Sequence, residues 1–250
     1  MKQNAPSDKL SRSVADFYEE FGAAFSSTRH APWGVMKLVK DSVKPGDILV
    51  DIGAGNGRLG LEIPDNVRYI AVEPSSKLRD AAQALLAQRP NKEILAGGFP
   101  DTFLDDAVAD SAACLAVLHH LPTPENRQDA VNELARILKP GGTLVLTVWN
   151  PRSPRFFKNK PLFERLKILI AAWLRIPMVR GGGWGDVWVS WKAEGADTHR
   201  YVHAFTLKEL KTLFDPKTWD VQKCEAWDNQ GEVKILEGKN LVVVAKKKIR

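Results

Sequence analysis

Cysteine is scarce: the 250-residue chain has two, Cys114 and Cys224. Two cannot build a disulfide framework, and neither belongs to the paired Cys/His spacing of a zinc site. A reducing compartment and no bound metal are therefore expected. Long hydrophobic runs are also missing. The longest, Ile168 to Leu174, falls far short of the ~20 residues of a membrane span, so no stable membrane insertion is expected. Met1 to Leu10 is polar and lacks the apolar core of a signal peptide, which predicts a soluble, cytoplasmic protein. No internal repeat or low-complexity tract is present. What is there, 44% hydrophobic and 26% charged residues, suits one globular domain with an insertion better than two domains.

Charge is unevenly placed. The net charge is +6, and residues 151–200 alone hold ten basic and four acidic side chains. The excess of the whole chain therefore equals that of one segment. Such a segment fits an anionic partner, nucleic acid or a membrane surface, or simply a solvated basic face.

Strand and helix patterns alternate along the chain. Residues 7–22 read as an amphipathic helix, and Pro32 can open another that runs to Val43. Lys44-Pro45-Gly46-Asp47 turns into the apolar run Ile48–Ile52, followed by a glycine-rich loop and a short helix. Tyr69–Val72 is a second strand, closed by Glu73 and Pro74, and Ser75 caps the next helix. Glu93–Ala96 and Ser111–Leu118 are further strands, the latter ending in His119-His120. Thr123 and Pro124 open a helix that Lys139-Pro140-Gly141-Gly142 stops, and Thr143–Trp149 is the fifth strand. A helix is expected over Leu162–Leu174 and another over Thr206–Phe214. Asp220–Ala226 and Asn240–Lys246 close the chain in tandem, which suggests a reversed edge strand. The whole predicts an α/β fold with a covered, mostly parallel sheet.

The most informative stretch is Asp51-Ile52-Gly53-Ala54-Gly55-Asn56-Gly57. Open α/β sheets bind ligands beyond the carboxyl ends of their strands, where glycines let the backbone approach closely. Glu73, at the end of the second strand, offers two acceptor oxygens for ribose hydroxyls. Gly55, Gly57 and Gly60 also satisfy the dinucleotide pattern G-x-G-x-x-G. Two features favour a different ligand. Gly53 precedes that pattern, and Asp51 would repel a pyrophosphate but welcome a cationic amino group. S-adenosyl-L-methionine, with a sulfonium and an α-amino group and no phosphate, fits better than a nicotinamide dinucleotide.

Asp51–Gly57 resembles the first motif of class I methyltransferases, and Lys139–Gly142 resembles their turn before the fifth strand. Phe25-Ser26-Ser27-Thr28-Arg29-His30-Ala31-Pro32-Trp33 is similar to the F-S-x-T-R-x-x-P-W segment of the tRNA wobble-uridine carboxymethyl methyltransferases. That family includes the methyltransferase domain fused to the AlkB-type tRNA hydroxylase. Leu115–Leu121, Val148-Trp149 and Arg200–Phe205 are similar to its A-V-I-H-H-L, V-W and R-Y-Y-H-V-F segments. The resemblance implies a Rossmann-like, seven-stranded, mostly parallel sheet with one antiparallel edge strand and helices on both faces. It also implies S-adenosyl-L-methionine as donor, methyl esterification of a 5-carboxymethyl uridine in tRNA, and a small zinc-binding activator protein as partner. Gly97-Gly98-Phe99-Pro100 stands where the family carries an acidic residue near adenine. Phe99 stacking on the base, or a backbone carbonyl taking its amine, is expected instead.

The expected organisation is a helical lid over 1–43, a cofactor core over 44–150, a basic tryptophan-rich cap over 151–200 and closing elements over 201–250. Expected donor contacts are Asp51, Gly53, Gly55, Gly57, Glu73, Pro74, Gly98, Phe99, Leu115 and Ala116. A carboxymethyl group, with a pKa near ~4, is ionised at neutral pH and needs orientation rather than a general base. Arg29 suits that task, since a guanidinium grips a carboxylate bidentately; a structural salt bridge is its other reading. His119 and His120 complete the expected catalytic group. Trp33, Trp149, Asn150, Arg200 and His203 are expected on the substrate side.

Four tryptophans of the insertion, Trp173, Trp184, Trp188 and Trp191, lie among its cations, with Gly181-Gly182-Gly183 as a hinge. Three readings stand: stacking platforms for single-stranded RNA, a helix at Leu162–Leu174 lying on a membrane, or the core of a cap subdomain. A small-molecule or lipid-quinone methyltransferase, or a binding protein that retains only the donor pocket, are the alternative functions.

Overall fold

In the computed structural model, β1 (Ile48–Ile52) runs in the middle of an eight-stranded sheet. The residues described are 6–27, 33–156, 162–174, 176, 178–179, 182–193 and 196–249. Arg29 and Gly181 lie outside them. Leu49, Val50 and Ile52 are fully buried, as a central parallel strand covered on both faces requires.

The sheet order is β3-β2-β1-β4-β5-β10-β8-β9. Here β2 is Arg68–Glu73, β3 Lys92–Ala96, β4 Ala109–Leu115, β5 Leu138–Trp149, β8 Trp219–Trp227, β9 Glu232–Val233 and β10 Asn240–Lys247. The first five strands in that order pair in parallel. β10 runs against both β5 and β8 and supplies the antiparallel edge. The reversed strand lies two places inside the rim, because β8 and the short β9 extend the sheet beyond it. β5 starts at Leu138, five residues before the expected Thr143. The chain passes straight from helix to strand there, and an irregularity between Ala109 and Ser111 absorbs the extra length.

Helices cover both faces. α5 (Pro124–Ile137) begins as its sequence predicts, with the Thr123 hydroxyl accepting from the Asn126 N–H at 3.1 Å and Pro124 in the first turn. It buries Ala130, Val131, Leu134 and Ile137 against Val50, Ile52, Leu144 and Leu146. α7 (Leu207–Thr212) extends the helical cover near it. On the other face, α2 (Met36–Asp41) and α3 (Arg58–Glu62) pack Met36, Val39 and Leu59 over Leu49, Tyr69, Val145 and Val242. α4 (Ser76–Leu86) is capped by Ser75.

Two elements sit over the carboxyl ends of the parallel strands. α1 (Pro6–Ser27) is five residues longer at its C-terminal end than its pattern predicted. Its Glu19 accepts from the Ser76 N–H at 2.8 Å, and its Tyr18 carbonyl accepts from the Ser75 hydroxyl at 3.1 Å. The insertion supplies α6 (Leu162–Leu174), with the predicted bounds, and an unforeseen hairpin of β6 (Asp186–Ala193) and β7 (Ala196–His203). The alternation of buried Val187 and Val189 about half-buried Trp188 is a strand pattern, and Trp191 shares the face of the two valines. Trp191 packs between Phe17 and Phe21 of α1, with ring centroids 5.2 and 5.3 Å away. Trp188 meets Tyr201 edge-on. These two tryptophans are therefore cap core, whereas Trp173 and Trp184 remain exposed.

A buried ionic cluster ties the hairpin to α5 and α7. Asp186 of β6 accepts from the Tyr201 hydroxyl at 2.7 Å and lies 2.6 Å from the His203 ring, while Arg127 of α5 approaches it at 3.6 Å. The other His203 nitrogen is 2.6 Å from Glu209 of α7. Removing one member of such a cluster leaves the others buried without compensation. Asp186→Ala is thus expected to lower unfolding free energy by about 3–5 kcal/mol, measured by urea denaturation. A change below about 1 kcal/mol would show that the hairpin is held by its apolar contacts alone.

Candidate active site

Strand register sets the chemistry. Asp51 pairs with Ala71 and Ile52 with Val72, so Asp51 and Glu73, two residues beyond Ala71, stand on the same face of the sheet near the ends of neighbouring strands. Both carboxylates are nearly inaccessible. Burial pushes the Asp51 carboxyl up to about 7; the charge of Glu73 adds to the shift, and a 2.6 Å hydrogen bond from the Tyr69 hydroxyl opposes it. Glu73 is also raised by burial, against hydrogen bonds from the Gly55 N–H (2.9 Å) and the Ser75 N–H (3.0 Å).

Gly55 has φ +60°, and no atom lies within 4 Å of where its Cβ would stand. Its bare face opens on a cavity of about 1540 Å³. Gly57 has a different task. A Cβ there would approach Ala82 and Leu86 at 3.0 Å, and the residue is not on the cavity wall. Gly57 lets α4 pack against the loop, a packing position off the cavity where a donor contact is expected from the sequence. The other expected donor contacts, Asp51, Gly53, Gly55, Glu73, Pro74, Gly98, Phe99, Leu115 and Ala116, all line the cavity. Ala116 adopts φ +63°, a conformation that costs a non-glycine residue energy. Its N–H is held by the Thr147 hydroxyl at 2.9 Å and the Thr147 carbonyl at 3.0 Å.

The remaining expected residues divide. Trp33, Trp149, His120 and Arg200 line the same cavity. The Arg200 guanidinium lies 4.8 Å from the ring centroids of both Phe17 and Trp149 and donates to the Tyr18 hydroxyl at 3.3 Å. His120 donates from Nδ1 to the Tyr201 carbonyl (2.9 Å), so its Nε2 accepts from the Tyr18 hydroxyl (2.9 Å). Burial, reinforced by Arg200, pushes its pKa down to about 3. It is a neutral ring, not a proton carrier.

His119 is fully buried, stacks on Trp149 and accepts from the Trp149 N–H at 3.2 Å. Burial also holds its pKa well down. It does not reach the cavity and shapes the wall through Trp149. Asn150 is likewise off the cavity; its amide donates to the Ile235 and Gly238 carbonyls at 2.8 and 2.9 Å and clamps the loop before β10. His203 belongs to the ionic cluster described above. Its two nitrogens face Asp186 and Glu209, so it anchors the cap instead of meeting a substrate.

Tyr18, Ser190, Trp191 and Asn240 line the cavity without having been foreseen. Only the alternating pattern around Val187 hinted at two of them; Tyr18 reaches His120 across 102 residues of sequence. Among the described residues, no group of three or more His, Cys, Asp or Glu side chains is placed to hold a metal ion.

A methyltransferase-domain family model matches residues 50–146. The chain is 30% identical over 209 residues to a putative methyltransferase of Encephalitozoon cuniculi, covering 83% of this chain and 87% of that protein. It is 34% identical over 141 residues to the tRNA (carboxymethyluridine(34)-5-O)-methyltransferase ALKBH8 of Mus musculus. That match covers 54% of this chain and spans about a fifth (20%) of the mouse protein. A solved complex of the Haloferax volcanii Trm112 methyltransferase activator with a putative methyltransferase shares the fold (TM-score 0.64, 18% identity, 95% of this chain and 99% of that one). The protein belongs to the S-adenosylmethionine-dependent methyltransferases of class I. Over about half of its length it is also similar to a tRNA carboxymethyluridine methyltransferase of Arabidopsis thaliana (33% identity, 31% of that protein).

The residues present fit the donor. Two buried carboxylates on adjacent strand ends suit an ammonium group and a sugar diol. The open face of Gly55 leaves room for a ligand to lie on the backbone. Folded Asp51 holds its proton more tightly than the unfolded chain does, so stability falls as pH rises from about 4 through about 7. Chemical denaturation of the ligand-free protein across that window should show a loss of about 1 kcal/mol per pH unit at most. Asp51→Asn should flatten the slope, leaving the share of Glu73, which burial also raises; an unchanged slope would mean that Asp51 is already ionised in the fold.

Proposed function

We propose that the protein methylates the carboxylate of a carboxymethyl-type wobble uridine in tRNA. The observation that carries this reading is Arg200, a guanidinium held between the Phe17 and Trp149 rings on the wall of the cavity that Asp51 and Glu73 floor. A cation in that position suits an anionic acceptor, and the likeness to the mouse carboxymethyluridine enzyme supports the choice of acceptor.

Bound S-adenosylmethionine supplies an electrophilic methyl group on a sulfonium. In our reading Glu73 takes the ribose hydroxyls, Asp51 the amino group, and Gly98, Phe99, Leu115 and Ala116 border the adenosine. The acceptor carboxylate is ionised near neutral pH, so an oxygen lone pair would form the new O–CH3 bond as the CH3–S bond breaks with its electron pair left on sulfur, and no proton has to leave. The protein then has only to orient the two reactants and keep water away. Arg200 orients the carboxylate, with Arg29 as a second cation. Trp33, on the cavity wall, offers a face on which a base can stack, while Trp149, covered by His119 and Arg200, holds the guanidinium in place. His120, neutral with both nitrogens engaged by protein groups, fits chemistry that needs no general base.

A small zinc-binding activator of the Trm112 kind, in the cytoplasm, belongs to the same proposal; the fold shared with the Haloferax complex supports it. A lipid-like acceptor is a second reading, favoured by the exposed apolar row of α6. No described helix is long and apolar enough to cross a membrane.

Labelled donor should be incubated with deproteinised tRNA from a strain lacking the gene, and separately with a lipid extract. Label on tRNA that mild alkali releases is the expected result. Arg200→Gln should lower turnover by roughly 10–100-fold while affinity for S-adenosylhomocysteine by calorimetry stays within about twofold. Alkali-stable label, or label in the lipid fraction alone, would overturn the tRNA ester reading.

A further inference from the structure

α6 carries apolar residues on two opposite sides, with Glu164, Arg165 and Lys167 as its charged members, yet only one apolar side is packed on the hairpin. Ile168, Ala171 and Ala172 are buried, the first two against Val187, Val189 and Val202 of the hairpin. On the opposite side Leu162, Phe163, Leu166, Ile170, Trp173 and Leu174 recur at three- and four-residue spacing and form one stripe. They are between 48 and 80% exposed, Phe163 the most. Ile176 and Trp184 are exposed as well. At 1.5 Å per residue the stripe runs ~20 Å along the surface. Contiguous apolar surface of this size on a soluble domain marks an interaction site.

The orientation of the helix is fixed. The Trp173 indole N–H donates to the Arg152 carbonyl at 3.1 Å, and the Arg152 guanidinium lies 5.8 Å from the same ring. Its polar atom being satisfied inside the protein, the exposed ring presents apolar area. At 100° per residue, Lys167 falls on one flank of the stripe and Arg165 on the other. Lys167 and Arg155, in the turn before the helix, are exposed. The +6 excess of the chain lies in the 151–200 segment that carries the helix.

We propose that this face docks α6 flat on an anionic lipid surface, with the apolar stripe at the acyl boundary and the flanking cations among the headgroups. An apolar stripe bordered by lysine and arginine, with tryptophan among its members, is the pattern of an interfacial helix. Charge decides against the other occupants. A second copy of the chain across a two-fold axis would set Lys167 and Arg165 against their own counterparts. RNA would satisfy the cations but leave Leu162, Phe163, Leu166, Ile170 and Leu174 in water. The inference does not depend on which acceptor the cavity takes.

The test is co-sedimentation of the whole chain with sucrose-loaded vesicles of phosphatidylcholine alone or with 30% phosphatidylglycerol (a probe composition of about 3 in 10 anionic lipids). Binding to the anionic vesicles is expected, at least ~10-fold tighter than to the neutral ones and weakened by salt. Phe163→Ser with Ile170→Ser should reduce it by ~10-fold or more. Unchanged calorimetric affinity for S-adenosylhomocysteine will show that the variant is folded. Lys167→Gln with Arg155→Gln should remove the preference for anionic vesicles. Three results would each overturn the proposal: no binding to either vesicle, binding that ignores the apolar substitutions, or a dimer in sedimentation equilibrium that those substitutions dissociate. Loss of tRNA binding in the serine variant without change in vesicle binding would assign the face to RNA.

Discussion

Two carboxylates buried at neighbouring strand ends constrain everything around them. Asp51 and Glu73 are placed by the parallel register of β1 and β2, and each would cost several kcal/mol to ionise in that setting without compensation. The fold compensates only in part: a tyrosine hydroxyl for Asp51, and two backbone N–H groups for Glu73. What is left over, a carboxyl raised to about 7, is electrostatic demand directed at a cationic ligand. The glycine loop follows from this, because the Gly55 N–H must reach Glu73 while its other face stays open. A donor pocket in this fold is an under-satisfied place, and its stability deficit is the counterpart of its affinity.

The second half of the cavity depends on elements far apart in sequence. α1 crosses the glycine loop and the start of α4, gripped through Ser75, Ser76 and Asn56. The β6–β7 hairpin comes from the opposite side, held by the cluster of Arg127, Asp186, Tyr201, His203 and Glu209. The two meet at an aromatic seam, with Trp191 between Phe17 and Phe21 and Arg200 between Phe17 and Trp149. Tyr18 closes the seam by binding both His120 and Arg200. Arg200 therefore reaches the cavity only because the hairpin is anchored behind it, so His203 acts on the site through the backbone of β7. The polar groups of the cap serve geometry, and the aromatic faces supply a low-dielectric wall in which one cation has strong effect.

The neutral histidines fit this arrangement. His119 and His120 both have their pKa driven down by burial, and His120 is further depressed by Arg200. A site that had to remove a proton from its acceptor would place a titratable group near pH 7 facing the cavity. Among the described residues Asp51 lies near that value, beside the glycine loop and away from Arg200. On the other wall Arg200 stands among aromatic rings, which suits the proposed acceptor, one that arrives already ionised.

The sequence by itself determined the donor half of the protein: the β1 run, the glycine loop, Glu73 at the end of β2, the capped start of α5 and the tandem closing strands. These are local features, written in periodicity, caps and backbone freedom over a few residues, and so they can be read without knowing what packs on them. It also marked Trp149, His120 and Arg200, through short segments shared with a family. Tertiary structure alone decided what those segments do. It turned Gly57, Asn150 and His203 into packing, clamping and anchoring residues, sent His119 behind Trp149, brought Tyr18 to the cavity and set Thr147 behind Ala116. Trp173 and Trp184 were left outside, while Trp188 and Trp191 went into the cap. The reason is physical: whether a polar or aromatic side chain meets ligand, protein or solvent is fixed by contacts made across the chain, and no spacing within one segment encodes the partner.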